Sequence, residues 1–426
     1  MVRVASKPWT AQRALMLTPD EAYLDRRIAQ EAGSLVSARW AVDIYPAVDP
    51  SLSYGGSLVD GVRLLASPHP VAVPSRSRRS LQRGRRGLRA LMPALDRAIE
   101  ARRYRRWKRA ETIATSNLAH LLGLGRYDLV FAHDVPVFPL GAQLAAAWDA
   151  PLICDLHEIF PEQDEHFTTE TARRYWRTVE REGISEADGV ICVNTAVADY
   201  VVNRYAPTAP IVTIQNSAPY VDSAALVGRT IRDHYAIDDA QRVMLFAGSL
   251  RPYANLETVI AGFARANLEG WVLAILGDGP LREPLEKLIV RLGLERRVFL
   301  GQRAVESELL EVTSSADIGL LPYQAVGINH EIATPNKLFE YIQARLPLAT
   351  SRLPMIEKIV SGSNIGGFVD YTSERSTADG LRDFVATTLP GIQPDALEAA
   401  ARRWSWEREE TALFEVVDAA MARRRP

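Results

Sequence analysis

Short apolar runs, each closed by polar residues and followed by a stretch with helical apolar spacing, recur along most of the chain. That alternation constrains the fold more than any other feature of the sequence. Leu129-Val130-Phe131-Ala132 leads to His133-Asp134, Pro151-Leu152-Ile153-Cys154 leads to Asp155-Leu156-His157-Glu158, and Gly189-Val190-Ile191-Cys192-Val193 leads to Asn194. Continuous apolar runs of this length suit strands covered on both faces, and the interleaved helices supply the cover, so the pattern predicts an α/β fold built on parallel sheets. Ligands of such sheets bind beyond the carboxyl ends of the strands, which makes His133, Asp134, Asp155, His157 and Glu158 candidates for lining one crevice. His157-Glu158 is not a zinc-protease motif, because Pro161 stands four positions after His157.

The units fall into two series. The first begins with the apolar run 14–17, continues through 41–45, and closes at 211–214; Ile28, Ala32 and Leu35 mark one face of its first helix. Residues 215–219 read as a crossover, since Pro219 cannot continue a strand ladder. A second series starts at 243–247, where Gly248-Ser249 turns into a helix marked by Leu256, Val259, Ile260 and Phe263. Strand 272–276 ends at Gly277-Asp278-Gly279-Pro280, a helix with an apolar stripe from Leu281 to Leu292 follows, and the runs 317–323, 347–350 and 366–370 complete the series. A chain of 426 residues, 47% hydrophobic and 24% charged, has room for two or three domains with large cores. No apolar run approaches the roughly 18 residues of a membrane span, and residues 1–10 lack the apolar core of a signal peptide, so a cytoplasmic location is expected. Cys154 and Cys192 fall inside strand-like runs and are expected to be small buried hydrophobes.

One segment departs from this composition. Residues 76–109 carry 14 Arg or Lys against 2 acids, while the whole chain has a formal charge of −2. Leu88, Leu91, Leu95 and Ile99 recur at helical spacing among the arginines, with Tyr104 and Trp107 after them, which reads as a basic amphipathic helix. Such a helix can lie on an anionic membrane surface, or it can be a solvated wall whose arginine stems cover a neighbouring face. Nucleic acid is not expected as a partner, because no recognition motif accompanies the charge.

The stretch 331–348 carries the clearest functional pattern. Thr334 and Pro335 precede Asn336 and Lys337; Leu338, Phe339, Tyr341 and Ile342 then recur with helical spacing, and Pro347 stops the helix before the next apolar run. A helix start offers unpaired N–H groups and a partial positive charge, and Lys337 in its first turn adds a full one, so a phosphate can be held there; the same residues also suit an ordinary capped helix. The segment Pro335-Asn336-Lys337-Leu338-Phe339-Glu340-Tyr341 resembles the donor-binding segment of family-four retaining glycosyltransferases. Ala132-His133-Asp134 followed by Asp155-Leu156-His157-Glu158-Ile159-Phe160-Pro161-Glu162 is similar to another pattern of that family. Asp25-Arg26-Arg27-Ile28 with Glu31-Ala32 resembles its first helix, Gly277-Asp278-Gly279-Pro280 its loop beside the nucleotide, and Trp404-Ser405-Trp406-Glu407 its closing helix.

The resemblance implies a GT-B architecture of two facing Rossmann-like domains. An acceptor domain is expected over 1–216 and a nucleotide-sugar donor domain over 217–395, with a terminal helix, 396–426, crossing back to the first. It implies that Glu340 holds the ribose hydroxyls of a sugar nucleotide, that His157 contacts the donor sugar near the reacting carbon, and that Asn336, Leu338, Glu331, Gly248, Ser249, Gly277, Asp278 and Gly279 line the donor site. Two cations usual in the family are replaced by Ser249 and Ala254, so Arg251 and Lys337 are expected to serve the diphosphate. Thr18 to Leu24 holds no glycine, and Arg345 stands where a glycine is usual. The implied activity is retaining, metal-independent transfer of a sugar to a glycan or lipid-linked acceptor, in cell-surface polysaccharide or glycoconjugate synthesis, with no cofactor. Metal independence also follows from the lack of any Asp-any-Asp triplet, the metal motif of the other common transferase architecture. An epimerase or phosphorylase on the same scaffold, or a non-catalytic module binding anionic surfaces, remains as an alternative.

Overall fold

The apolar runs of the sequence become the strands of two sheets, each parallel throughout. The computed structural model describes residues 12–19, 25–47, 60–65, 117–163, 170–226, 228, 230–304 and 308–424. The basic segment 76–109, expected to be helical, lies outside them, as does most of the loop after Thr18. The chain divides into two compact units, one formed by Met1–Thr213 with Ala412–Pro426 and the other by Ile214–Thr411.

The first unit holds strands β1 (Arg13–Thr18), β2 (Ala41–Pro46), β3 (Val62–Leu64), β4 (Leu129–His133), β5 (Leu152–Leu156), β6 (Gly189–Cys192) and β7 (Ile211–Thr213), ordered β3-β2-β1-β4-β5-β6-β7. Leu15, Met16, Val130, Phe131, Ile153 and Ile191 are fully buried, as strands covered on both faces require. Cys154 and Cys192 are buried free thiols within β5 and β6. The order reverses direction between β1 and β4, so the crevice of a doubly wound sheet opens at the carboxyl ends of these two strands. Helix α1 (Arg26–Ser37) follows β1 and is capped by the Asp25 carboxylate, which accepts from Arg27 N at 2.9 Å.

The second unit holds β8 (Arg242–Ala247), β9 (Trp271–Leu276), β10 (Val298–Gly301), β11 (Ile318–Leu321), β12 (Leu348–Thr350) and β13 (Gly366–Phe368), ordered β10-β9-β8-β11-β12-β13. Its reversal lies between β8 and β11. Helices α2 (Leu256–Ala266) and α3 (Arg282–Arg291) pack on one face of the sheet through Val259, Phe263, Leu285 and Leu288, while α4 (Asn336–Gln343) packs on the other through Leu338, Phe339 and Ile342. Strands β3 and β10, not anticipated from the sequence, are three and four residues long and lie at sheet edges, where strands are short and apolar alternation is weak. Just past the end of α4, Arg345 holds a left-handed conformation (φ +58°) that glycine adopts more easily. Arg345 gains contacts that a glycine would lack: Nε bonds Glu398 at 2.9 Å, Nη2 bonds the Val221 carbonyl at 2.6 Å, and the guanidinium lies over Tyr220.

The terminal segment is partitioned differently from the sequence expectation. Helix α5 (Pro394–Arg403) stays with the second unit, where Gln343 Nε2 donates to the carbonyls of Ala401 and Trp404 at 2.8 and 3.1 Å. The start of α6 (Trp406–Arg423) does too, with Glu409 and Glu407 accepting from the backbone N–H groups of Gln215 and Tyr220. The chain joins the first unit from Ala412, not from 396. There Val416 occupies the space above Gly189, where a Cβ would come within 2.6 Å of it, and Arg424 pairs with Asp188 at 3.0 Å. Among the described residues no helix is long and apolar enough to cross a membrane.

Candidate active site

In the first unit the strand register assembles a buried cluster of charges. His133 is the last residue of β4 and pairs in register with Asp155 on β5, so both side chains leave the sheet side by side at its carboxyl edge. Asp155 Oδ2 lies 3.0 Å from His133 Nδ1 and 2.9 Å from His157 Nε2. The other oxygen of Asp155 takes a hydrogen bond from Arg27 Nη2, while Arg27 Nε donates to Glu31 at 3.1 Å one turn along α1. Arg27, Glu31, His133 and Asp155 are at most 1% exposed. His157 stands at the rim, 11% exposed at its side chain, with Nδ1 3.7 Å from Asp25 and 4.0 Å from Asp134. Asp134 holds a left-handed backbone (φ +65°), and its carboxylate accepts from the His157 amide at 3.3 Å.

Charge states follow from these neighbours. Burial would raise the Asp155 carboxyl, but Arg27 and then His157 outweigh it and hold it well below the usual carboxylate range. Burial would lower the His157 imidazole, but Asp155 and Asp134 push it well above its ordinary value. Burial raises Asp134 to about 6 against the pull of His157, and raises Glu31 with help from the Asp155 charge. Ligand atoms of His133, Asp155 and His157 lie within 4.8 Å of one another, as a metal would need. Asp155, however, is already bonded by two imidazoles and a guanidinium, whose charge opposes a cation there, so the set fits a hydrogen-bonded cluster better than a metal centre.

The second unit offers a buried cation between glycine turns. Lys337, in the first turn of α4, is 8% exposed, and its Nζ lies 3.7 Å from the centre of the Phe246 ring and 5.2 Å from that of Tyr323. A Cβ on Gly248, just past β8, would come within 2.8 Å of Lys337 Cε, so the glycine is what lets the lysine reach the strand end. The turns after β8 and β9 lie backbone to backbone: Gly248 N donates to Leu276 O at 2.8 Å, Leu250 N to Asp278 O at 3.0 Å, and Leu281 N to Leu250 O at 3.2 Å. A Cβ on Gly277 would collide with the Gly248 carbonyl, and one on Gly279 would come within 2.5 Å of that of Leu250. Arg282 Nη2 secures the same turn by bonding the carbonyls of Gly277 and Gly301, each at 2.6 Å. Among the described residues Lys337 forms no salt bridge. Burial lowers it to about 7, with Glu340 opposing and Arg303 adding to the effect.

The structure thus brings together His133, Asp134, Asp155 and His157 in one unit, and Gly248, Gly277, Asp278, Gly279 and Lys337 in the other. Glu340 follows Lys337 by three residues, one helical turn, and its charge acts on that lysine. Asn336 begins α4, Ser249 is exposed on the turn after β8, and Arg251 is half-buried two residues on. Glu158 accepts from the Gln163 side chain. Glu331 is exposed at the end of the short helix Ile328–Glu331. Leu338 does not line a site through its side chain, which is fully buried in the core, and its amide is bonded to Pro335 O at 2.9 Å. Sequence reading missed Arg27, Glu31 and Asp25 around Asp155 and His157, and Phe246, Tyr323 and Arg282 around the glycine turns. Arg27 and Glu31 are spaced i, i+4 beside Ile28 and Ala32, and that spacing within a buried face was the available signal.

Residues 24–217 match the family model described as Glycosyl transferase 4-like domain, and residues 228–404 match that of Glycosyl transferases group 1. No curated protein matches the chain by sequence. Among solved structures, sucrose-phosphate synthase from Thermosynechococcus elongatus is similar at a TM-score of 0.70 and 15% identity, over 97% of this chain and 100% of its own. HepE from Anabaena, in complex with UDP-glucose, is similar at a TM-score of 0.62 and 15% identity, over 95% and 99%. The trehalose 6-phosphate synthase of Burkholderia multivorans gives 0.63 and 14%, over 98% and 99%. Likeness at such identities establishes the fold, and the tandem family domains establish the rest: the chain belongs to the group 1 glycosyltransferases and has the GT-B fold.

Proposed function

We propose that the protein transfers a sugar from a nucleoside-diphosphate sugar to a glycan or lipid-linked acceptor, with retention of anomeric configuration and without a metal. The observation that carries this reading is Lys337: a buried ammonium with no salt bridge among the described residues, at the start of α4 and against Gly248. A diphosphate is the anion that suits such a place, since the free N–H groups of the helix start and the ammonium act on the same charge. HepE, of the same fold, is recorded with UDP and with UDP-glucose, which supports a nucleotide-sugar donor. WaaG, a glycosyltransferase involved in lipopolysaccharide biosynthesis, is also similar (TM-score 0.60), which supports a role in cell-surface glycoconjugate synthesis.

On this reading negative charge grows on the diphosphate as the sugar departs, and Lys337, Arg251 and the α4 N–H groups stabilise it without a covalent step. Glu340 holds the ribose, His157 meets the transferring sugar, and a diphosphate oxygen takes the acceptor's proton, so no enzyme carboxylate acts as nucleophile. The basic segment 76–109 brings the enzyme to the inner membrane leaflet. Thermal shift against a panel of nucleotide sugars tests the donor: a true donor at a hundred times its Kd adds about 2.7 kcal/mol. Transfer assays with EDTA, and NMR of the product anomer, test metal independence and retention. A chain unmoved by every nucleotide sugar, or one whose transfer EDTA abolishes, refutes the corresponding part.

A further inference from the structure

His157 has a carboxylate facing each of its ring nitrogens. Nε2 is 2.9 Å from Asp155, and Nδ1 is 3.7 Å from Asp25 and 4.0 Å from Asp134. The inward contact is hydrogen-bonded and buried, whereas both outward distances exceed a hydrogen bond, so the outward nitrogen is not committed to either carboxylate. Asp155 itself cannot turn, because Arg27 holds one oxygen and His133 shares the other; Arg27 in turn is fixed by Glu31.

We propose that Asp155 and Arg27 are positioning residues that hold His157 as an imidazolium, with Nε2–H directed to the buried carboxylate and Nδ1–H presented at the rim to a hydroxyl of the transferring sugar. The inference rests on the functional reading above for the identity of that hydroxyl, but the charge state and ring orientation rest on the cluster alone. Among the described residues the titratable groups around the ring come from three elements. Asp25, Arg27 and Glu31 come from the start of α1, His133 and Asp134 from the end of β4, and Asp155 from β5. Arg27 repels a second cation, but it is bonded to Asp155 and Glu31, so three carboxylates remain within 4.0 Å of the His157 ring nitrogens. His133 has its Nδ1 on the same Asp155 oxygen, and among the described residues its Nε2 is buried without a hydrogen-bond partner. The role parallels a buried carboxylate that fixes the tautomer and orientation of a working histidine, with the difference that here the ring is kept charged.

Nitrogen NMR of the full-length protein without substrate reads the charge directly. In the wild type both His157 nitrogens should be protonated at pH 7.5. In Asp155→Asn the ring should lose its proton at least one pH unit lower, a tenfold or greater loss of proton affinity. The alkaline limb of kcat, read with the donor bound so that Lys337 is already charged, should move down by the same interval, with activity recovering at acid pH. A purely structural role for Asp155 would lower activity equally at all pH values. The double variant Arg27→Met with Glu31→Leu removes one buried charge of each sign and leaves Asp155 bonded to His133 and His157, with retention of the fold checked by circular dichroism. It should lose at least tenfold in kcat while nucleotide affinity stays within twofold. Neutral His157 in the wild type at pH 7.5 overturns the proposal and needs no variant to fold; unchanged titration in Asp155→Asn, or full turnover in the double variant, does so too. An enzyme inert toward every nucleotide sugar, yet with His157 titrating as expected, sinks the functional reading and leaves the positioning inference standing.

Discussion

Lys337→Met should make the protein more stable at neutral pH while weakening donor binding. Burial lowers the lysine from 10.5 to about 7, and each pH unit of such a shift is about 1.36 kcal/mol of differential stability. The sign is set by which state holds more protons. Between about pH 7 and 10.5 the unfolded chain keeps a proton that the fold tends to shed, so the penalty of folding around Lys337 is complete below about 7 and vanishes as pH rises toward 10.5. Its ceiling is about 5 kcal/mol. From this, the cation–π attraction of Phe246 and Tyr323, roughly 0.5–2 kcal/mol, and up to about 1.5 kcal/mol for imperfect filling by Met must be subtracted. A net gain of roughly 1.5–4.5 kcal/mol at most is expected at pH 6.5. Denaturant unfolding of wild type and variant at pH 6.5, 8 and 9.5 measures it, and the gain should shrink at each step. Nucleoside-diphosphate affinity should fall by roughly 1.5–3 kcal/mol, as for a lost charge-assisted hydrogen bond. A variant less stable than wild type at pH 6.5, or a gain that does not change with pH, would show that the lysine is not held against its own desolvation and would refute the reasoning.

Glu340→Ala should weaken binding of a nucleotide sugar by roughly 1.5–3 kcal/mol through lost ribose contacts, with circular dichroism unchanged; equal affinity by calorimetry would remove the ribose from this helix. Wild-type affinity for the nucleoside diphosphate should fall as pH rises above about 7, because binding needs the charged form of Lys337, and calorimetry in two buffers of different ionisation heat should show proton uptake. The segment 76–109 should bind anionic but not neutral vesicles at low salt and release them at high salt, each basic residue contributing on the order of 1 kcal/mol; sedimentation unaffected by changing Arg102, Arg103, Arg105 and Arg106 to Gln would refute a membrane role.

The fold was legible because its strands are buried on both faces, so that 129–132, 152–154 and 271–276 stand out as unbroken apolar runs. The edge strands Val62–Leu64 and Val298–Gly301 carried no such mark, since an edge needs fewer apolar residues. The strand-end residues His133, Asp155 and His157 were legible as a group for the same topological reason, whereas their wiring was not. Arg27 lies 128 residues from Asp155, and no local pattern could tell that a charged pair on the inner face of α1 was placed to meet it. Lys337 was legible as a residue at a helix start, but its burial is tertiary, set by Phe246 beneath it and by the absence of a side chain at Gly248. The return of the chain to the first unit at Ala412 was misplaced because the apolar face of α5 reads the same whichever core it covers; the Gln343 bonds that assign it to the second unit come from 58 and 61 residues away.

The two clusters treat charge in opposite ways, and the difference bears on what each can contribute to catalysis. In the first unit Arg27, Glu31, Asp155 and His157 are bonded among themselves before any ligand arrives, so they gain little from an added charge and serve orientation. Lys337 has no such partner among the described residues, and Ser249 and Ala254 occupy positions where the family resemblance leads one to expect further cations. A lysine already paired to a carboxylate would have to give up that pair to meet a phosphate, and its interaction would be nearly the same before and during reaction. A lysine lowered to about 7 by burial behaves differently: its hold on a proton strengthens with each increment of negative charge nearby. On the proposed reading that charge is greatest when the bond from sugar to diphosphate is breaking. The stabilisation from Lys337 is then larger in the transition state than in the bound ground state, the condition under which a contact accelerates a reaction and does not merely tighten binding.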